Sequence, residues 1–335
     1  MTVRDSDLTI AGVLRLLGAG ASGPILMALR DGPLRTKALT ERVPGYAPRT
    51  IYRYAARLSE LELLDREEEP GVPSKVVHRL TEPAGRELAE LVDAYADASM
   101  GRLPSGDIGA HEWGSFALVA DLWESGIGEA LNAGACSLTE LSHGDHDLSF
   151  HQVSRRAGLF VIGGFVEETA VASRRRNFTL TEKARRAMGL IAGIGRWRRR
   201  HVVPKGTSGL TSGEVAGLLR AILPLALLPE QLGKCLEMRI FPRGGSGADE
   251  ETVWAQVGPD GILTACPPPS GAADILARGQ VDAWVDAVLD GPRKDLTARG
   301  DAQLLDQCLR QLHAVLWAQE SDPPVAASIA TALAR

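Results

Sequence analysis

The chain has 335 residues, 44% of them hydrophobic, which suggests two or three globular domains. Its formal net charge of -5 at pH 7 excludes a protein that is basic along its whole length. The cysteines Cys136, Cys235, Cys266 and Cys308 follow no zinc or Cys-x-x-Cys spacing, so we predict a reduced, cytoplasmic protein with no metal and no cofactor.

Apolar and charged residues are unevenly distributed along the chain. The longest apolar run, residues 215–228, contains Arg220 and Pro224 and is too short to span a membrane, so we predict no membrane partner. Between Arg155 and Lys205 there are thirteen basic residues and three acids, whereas acids outnumber bases from Leu210 onward. This asymmetry indicates that one part faces nucleic acid and that another part has a different role.

The first hundred residues alternate helical patterns with turns. Residues 10–17, 24–30 and 34–43 read as short helices, and residues 48–63 read as a longer one after a Pro-Gly turn. Residues 65–69 and 74–80 read as two strands joined by a tight loop. The helices at residues 24–30, 34–43 and 48–63, followed by the two strands, predict a winged helix-turn-helix domain. Its third helix, residues 48–63, is sized for the major groove of DNA.

The longer helix, residues 48–63, has two different faces. Apolar residues at helical spacing form the face that packs inward, namely Ile51, Tyr54, Leu58 and Leu61. The opposite face offers guanidinium groups for guanine edges or phosphates, and hydroxyl groups for the DNA backbone. We therefore predict DNA contacts from this face and the following strand, by Arg49, Thr50, Tyr52, Arg53, Arg57 and Lys75. An ordinary solvated helix face is the alternative.

Several motifs in residues 20–98 resemble those of HxlR/MarR-type winged-helix regulators. The residues that carry the resemblance are Arg30-Asp31-Gly32-Pro33-Leu34-Arg35, the turn from Pro44 to Thr50, the leucines 58, 61, 63 and 64, and the run from Val77 to Thr81 with Gly85. The resemblance implies a DNA-binding transcriptional regulator. The chain departs from the family pattern by lacking a tryptophan near the first helix, and by the acidic wing Glu67-Glu68-Glu69.

A heptapeptide that ends the first hairpin recurs one hundred residues later. Residues 80–86 read LTEPAGR and residues 180–186 read LTEKARR, so five of the seven positions are identical. Thr81 and Thr181 are natural N-caps for the helical runs that follow them. We therefore predict that residues 110–203 repeat the winged-helix unit, so that one chain presents two unequal DNA readers to an asymmetric operator.

The second copy supplies its own candidate DNA contacts. Its third helix is predicted over residues 148–162, with Phe150, Val153, Ala157 and Phe160 facing inward. Helix residues Ser149, His151, Gln152, Arg155 and Arg156 are predicted to face DNA, and the wing residues Arg174, Arg175 and Arg176 to grip phosphate or enter a minor groove. His143, Asp145 and His146 lack an evident fourth metal ligand, so a polar turn is favoured over a metal site.

Residues 210–335 have a mixed α and β pattern. Residues 210–228, 274–277, 281–289 and 303–318 read as helical, and residues 233–242, 251–257 and 261–265 as strands. The pattern resembles sterol-carrier-protein domains at Trp254-Ala255-Gln256-Val257, Ala273-Asp274, Trp284, Leu289, Gly291, Gly300-Asp301 and Leu304-Leu305. That resemblance implies an apolar cavity, with candidate wall residues Trp254, Leu276, Trp284, Leu305 and Leu309. A plain packed core or a dimerisation surface remains open.

We predict an α+β protein with two tandem winged helix-turn-helix domains, residues 1–100 and 110–203, followed by a sterol-carrier-protein-like ligand-binding domain, residues 210–335. The predicted function is transcriptional regulation through double-stranded DNA, in response to a hydrophobic small-molecule effector. Homodimerisation is left open. No catalytic motif is present, so no enzyme is predicted. Two alternatives remain, a small-molecule-sequestering resistance protein and a DNA glycosylase built from tandem winged helices.

Overall fold

The computed structural model describes residues 8–70, 75–99, 108, 110–132, 136–143, 148–171, 175–203, 209–244, 250–290 and 295–317. The chain forms two compact units. The first comprises Met1–Asp121 with Arg200–Val202, and the second comprises Leu122–Arg199 with Val203–Arg335.

The first unit consists of helices and one small sheet. The helices are α1 (Ile10–Gly18), α2 (Ser22–Arg30), α3 (Thr36–Arg42), α4 (Pro48–Glu60), α5 (Ala84–Ser99) and the larger part of α6 (Ala110–Glu124). The strands are β1 (Leu34–Arg35), β2 (Leu64–Glu69) and β3 (Lys75–Leu80), which form an antiparallel sheet in the order β1-β3-β2.

The apolar character of α1 and α2 is explained by their burial. Within the described ranges no single helix is long and apolar enough to cross a membrane, although α1 and α2 pass that test together, with a bend of 85° between them. Residues Val13, Leu14 and Ile25 of this pair are fully buried in the first unit.

Helix α4 forms where its local sequence favours it. Pro48 occupies the first turn, where its missing N–H is not needed, and Ala47 before it is extended. Ile51 and Leu58 have no exposed surface, and each such burial contributes about 1.5–3 kcal/mol to folding. Shortly after the helix Glu62 adopts a left-handed conformation with φ 57°, which reverses the chain toward β2.

The early part of the second unit has the same order of elements. These elements are α7 (Ile127–Asn132), β4 (Cys136–Ser137), α8 (Leu138–Ser142), α9 (Phe150–Ile162), β5 (Val166–Val171), β6 (Arg175–Leu180) and α10 (Glu182–His201). The strands form an antiparallel sheet in the order β4-β6-β5, which corresponds to β1-β3-β2. We call residues 8–99 the first segment and residues 110–201 the second segment.

The recurring Leu-Thr pair makes the same hydrogen bonds in both segments. The Thr81 hydroxyl donates to the carbonyl of Glu62 at 2.8 Å, and the Thr181 hydroxyl donates to that of Gly164 at 2.7 Å. Gly164 has φ 72°, so it occupies the left-handed position that Glu62 occupies in the first segment. The Thr hydroxyl therefore ties the end of the hairpin to the turn that follows the third helix.

The remainder of the second unit is a five-stranded sheet with helices packed on it. Its helices are α11 (Ser212–Ile222), α12 (Val281–Val285), which continues as a π-helical turn (Asp286–Asp290), and α13 (Ala302–Trp317). Two short 3-10 turns lie at Leu223–Leu225 and Pro229–Gln231. The strands are β7 (Cys235–Phe241), β8 (Glu251–Val257), β9 (Leu263–Ala265), β10 (Ile275–Gln280) and β11 (Thr297–Gly300), in the order β11-β10-β7-β8-β9.

The helix predicted over residues 274–277 is wrong, because those residues enter strand β10. This strand pairs in parallel with β7 and antiparallel with β11, so both of its edges are hydrogen-bonded. A Cβ atom at Gly279 would overlap the side chain of Leu296, which explains a glycine inside a central strand. A short apolar run does not distinguish a buried strand from a helix.

Polar contacts join the second segment to the sheet that follows it. The Asn132 amide donates to the carbonyls of Arg220 and Ala221, and Arg220 pairs with Glu129 at 2.5 Å. Arg199 of α10 pairs with Asp286 of the π-helical turn. These bonds lie within the second unit, which groups residues 122–199 with the sheet, although the sequence places a Gly- and Ser-containing boundary between them.

Candidate nucleic-acid interface

Helix α4 presents two exposed arginines on one side. Arg49 and Arg53 lie one helical turn apart, so their side chains leave the same face. Neither makes an ion pair with any residue that the structure describes, and the Arg53 guanidinium lies 5.1 Å from the centre of the Tyr54 ring. Tyr52 is 49% exposed, whereas Thr50 and Arg57 are half-buried. The face therefore offers two accessible cations and an aromatic side chain.

The acidic wing of the first segment is neutralised by neighbouring arginines. Each of the three glutamates of β2 forms an ion pair at the protein surface. The pairs are Glu67–Arg79, Glu68–Arg66 at 3.6 Å and Glu69–Arg35 at 2.9 Å. Such exposed pairs add little stability, but they cancel local charge. Lys75, at the start of β3, is exposed beside them.

A buried histidine links this wing to α3. His78 of β3 is 6% exposed, and its Nε2 lies 3.2 Å from Oγ1 of Thr36. Its Nδ1 is buried and has no hydrogen-bond partner among the described residues. Burial, with a smaller contribution from the charge of Arg66, lowers the pKa of His78 below its ordinary value of 6.5. The neutral ring is therefore the form that the folded domain prefers.

We expect the stability of the first unit to fall at acid pH because of His78. The unfolded chain takes up the proton at the higher pKa, so unfolding binds a proton and is favoured as the pH drops below 6.5. Replacing His78 with Gln should reduce the difference in free energy of unfolding between pH 7.5 and pH 5.5, as measured by urea denaturation. The exposed His151→Gln is the control, and an unaltered pH dependence in His78→Gln would contradict this role.

Helix α9 begins with a side-chain cap that engages one of the predicted DNA contacts. Ser149 is the N-cap, and its N–H donates to Oε1 of Gln152 at 2.8 Å while the Gln152 N–H donates to Oγ of Ser149 at 3.4 Å. The Gln152 carbonyl oxygen is therefore occupied in the cap, which leaves its NH2 group for a ligand. His151 and Arg155 are exposed, and Arg156 is half-buried.

The prediction that Phe150 faces inward is wrong. Phe150 is 53% exposed, whereas Val153, Ala157 and Phe160 are buried as predicted. Phe150 is the first helical residue, and a side chain in the first turn leans toward the helix N-terminus, beyond the surface on which the rest of α9 packs. Helical spacing does not reveal this because it assigns a face without locating the end of the helix.

The far end of α9 is apolar. Leu159 is 41% exposed and Ile162 is 79% exposed. The corresponding residues of α4 are Arg57 and Glu60, which form an ion pair of 3.1 Å. The two third helices are therefore similar in their buried faces and different in their exposed ones.

The second hairpin is described only in part. Arg176 is exposed and pairs with Glu168 at 2.8 Å. Arg174 and the side chain of Arg175 lie outside the described residues. So do Asp145 and His146, which formed the possible metal site with His143, and no group of three His, Cys, Asp or Glu suited to a metal occurs in the described part of the chain.

The five residues predicted to line a C-terminal cavity do not all lie on one face of the sheet. Trp284 and Leu305 are fully buried and Leu309 is 7% exposed, and Trp284 packs on the face that holds Gly279. Trp254 and Leu276 are half-buried, and both are cross-strand neighbours of Glu237. They lie on the opposite face of the sheet.

A cleft of about 490 Å³ lies elsewhere in this sheet, where strands β7 and β10 end. Its lining includes Phe241, Arg278, Asp282, Asp286 and Asp295, and none of the five predicted wall residues.

The helices, the sheet and the β2–β3 hairpin of the first segment define a winged helix-turn-helix protein. The family model described as HxlR-like helix-turn-helix matches residues 16–105. HTH-type transcriptional regulator YodB of Bacillus subtilis (strain 168) is 33% identical over 84 residues, which is 24% of this chain and 75% of that protein. The chain therefore belongs to the HxlR-like helix-turn-helix family through this region.

Further comparisons each match about a quarter of the chain. An uncharacterized HTH-type transcriptional regulator of Methanothermobacter thermautotrophicus is 33% identical over 73 residues, which is 22% of this chain and 55% of that protein. The crystal structure of diamide-treated YodB from B. subtilis shows 32% identity and a TM-score of 0.23, covering 25% of this chain and 86% of that one. The reduced form of YodB shows 31% identity and a TM-score of 0.24, covering 28% and 92%.

Proposed function

We propose that this chain is a DNA-binding transcriptional regulator whose first segment reads double-stranded DNA with α4. The observation that carries this proposal is the pair of accessible guanidinium groups, Arg49 and Arg53, on the third helix of an HxlR-like fold. In helix-turn-helix proteins the N-terminal residues of this helix meet base edges in the major groove. Arg53 would read bases, and Arg49, Arg57 and Lys75 would contact phosphates.

We further propose that the second segment is a second winged-helix reader. Support comes from its element order, its equivalent sheet and the repeated Thr hydrogen bonds. His151 and Arg155 would face the groove, and the wing arginines 174–176 would contact phosphate. Because α4 and α9 expose different side chains, the operator would be asymmetric. We propose no catalytic activity, and the regulator would act in the cytoplasm, as a homodimer or as a single chain.

The salt dependence of duplex binding tests the second reader. Binding weakens as salt is added, and each phosphate contact makes the slope of log K against log salt more negative by about 0.9. Replacing residues 174–176 with Ala should weaken binding to all duplexes and flatten that slope by about one unit for each phosphate that the wing no longer neutralises. Fluorescence anisotropy over a range of salt concentrations measures both effects. A triple replacement at the acidic first wing, Glu67–Glu69 to Gln, is the control, and an unchanged slope in the arginine variant would reject the wing contact.

We assign the binding of a small-molecule effector to the C-terminal sheet. The resemblance to sterol-carrier-protein domains implies a hydrophobic ligand, whereas the cleft near Phe241 is lined by Asp282, Asp286 and Asp295. The same lining holds Arg278, and Asp282 pairs with Arg243 at 3.3 Å, so the cleft carries charges of both signs and suits a polar ligand. Asp286 also pairs with Arg199 of α10, so occupation of the cleft would act on the last helix of the second segment. The test is to select bound duplexes from a random pool with and without a small-molecule extract of cells. Identical selected duplexes in both conditions would reject this assignment.

A further inference from the structure

Exposed aromatic residues occur at two places in the described part of the chain. Among the side chains that the structure describes, Tyr52 and Phe150 are the Phe, Tyr and Trp residues that are about half exposed, at 49% and 53%. Tyr52 belongs to α4 and Phe150 to α9, which occupy equivalent places in their segments. Exposure alone says little, because single apolar residues are common on protein surfaces. The position of Phe150 is more informative.

Phe150 is the first residue of α9, directly after the Ser149 cap. In a recognition helix this end comes closest to the base edges. The cap engages the carbonyl oxygen of Gln152, which removes one group that would otherwise accept a hydrogen bond from a base. The apolar ring of Phe150 is therefore at the end of α9 that would come closest to the base edges. The side-chain oxygen of Gln152 is already engaged in the cap, so fewer polar groups are left there to read bases.

The remaining side chains of α9 indicate which partner meets this ring. The helix contains His151, Arg155 and Arg156 and no acidic residue. A cationic helix with an aromatic residue at its leading end suits a polyanion that presents an apolar group. In the major groove that group is the C5-methyl of thymine, which phenylalanine side chains contact.

We propose that Phe150 is a specificity-determining residue that reads the C5-methyl group of a thymine in the major groove. This inference rests on the proposed function of the second segment. The ring would bury the methyl group, and a base without that methyl would leave the ring without its apolar partner. Cytosine or uracil at that position would therefore be disfavoured.

The test uses the full chain and duplexes selected for binding from a random pool. Thymines in a selected duplex are replaced one at a time by deoxyuridine, which removes only the methyl group. For the native chain we expect one or two replacements to weaken binding about fourfold, the effect of losing one buried methyl group. Leu232→Ala is the control, because Leu232 is 54% exposed and lies outside α9, just before β7. It should show the same loss of binding on deoxyuridine replacement as the native chain. Phe150→Ala should bind the thymine and uracil forms equally.

Two further variants separate the ways in which the test can fail. If Arg155→Ala binds every duplex as the native chain does, α9 does not meet DNA, and the inference falls together with the second reader. If Arg155→Ala binds weakly and Phe150→Ala keeps the thymine preference, only the inference falls. Phe150→Leu retains an apolar side chain and should retain the preference, so its loss in that variant also overturns the methyl contact.

Discussion

Replacing Arg49 and Arg53 together with alanine should weaken binding to a selected duplex by about 30-fold or more. A base contact from Arg53 contributes about 1–3 kcal/mol, and the variant also loses the phosphate contact of Arg49. Both side chains are exposed and make no ion pair with described residues, so their removal should not disturb the fold. Fluorescence anisotropy at fixed salt measures the weakening, and circular dichroism confirms that the variant is folded.

A matched control removes two positive charges from another surface of the chain. Arg299 of β11 and Arg310 of α13 are both exposed. Their replacement by alanine changes the net charge equally, so it reports the long-range electrostatic effect alone. Equal weakening by both double variants would show that α4 attracts DNA only through net charge, and it would remove α4 as the reader.

Replacing Phe160 with alanine should lower the free energy of unfolding of the second unit by about 3–5 kcal/mol, because it leaves a cavity where a fully buried ring stood. Ile162, two residues further on, is 79% exposed, and Ile162→Ala should change stability by no more than about 0.5 kcal/mol. Denaturant unfolding of the two variants measures the difference. Similar effects in both would mean that α9 packs through a different face.

Sequence periodicity predicted the buried faces of the third helices because burial there follows helical spacing over several turns. Ile51 and Leu58 are seven residues apart, as are Val153 and Phe160, and this spacing of two helical turns keeps both members of each pair on one face. Phe150 satisfies the same spacing, but its position at the helix end decides its exposure. One signal for that end was present, since Ser149 and Gln152 have the spacing of a capping box.

The C-terminal region was harder to predict because its sites are assembled from separate segments. Strand β10 lies in the sheet through pairing with β7 and β11, and a six-residue run does not reveal those partners. The cleft joins Phe241 to Asp282 and Asp295, residues whose proximity depends on that pairing. The predicted wall residues were identified by apolar character and resemblance, which do not specify the face of a sheet.

The polar bonds that join the second segment to the C-terminal sheet limit how the chain can be divided by engineering. A graft that ended at residue 203 would separate Asn132 from the carbonyl of Arg220, and Arg199 from the carboxylate of Asp286. Partly buried polar groups that lose such bonds cost free energy. The second segment therefore cannot be transferred to another protein alone, and a chimeric regulator would need to include the sheet as well.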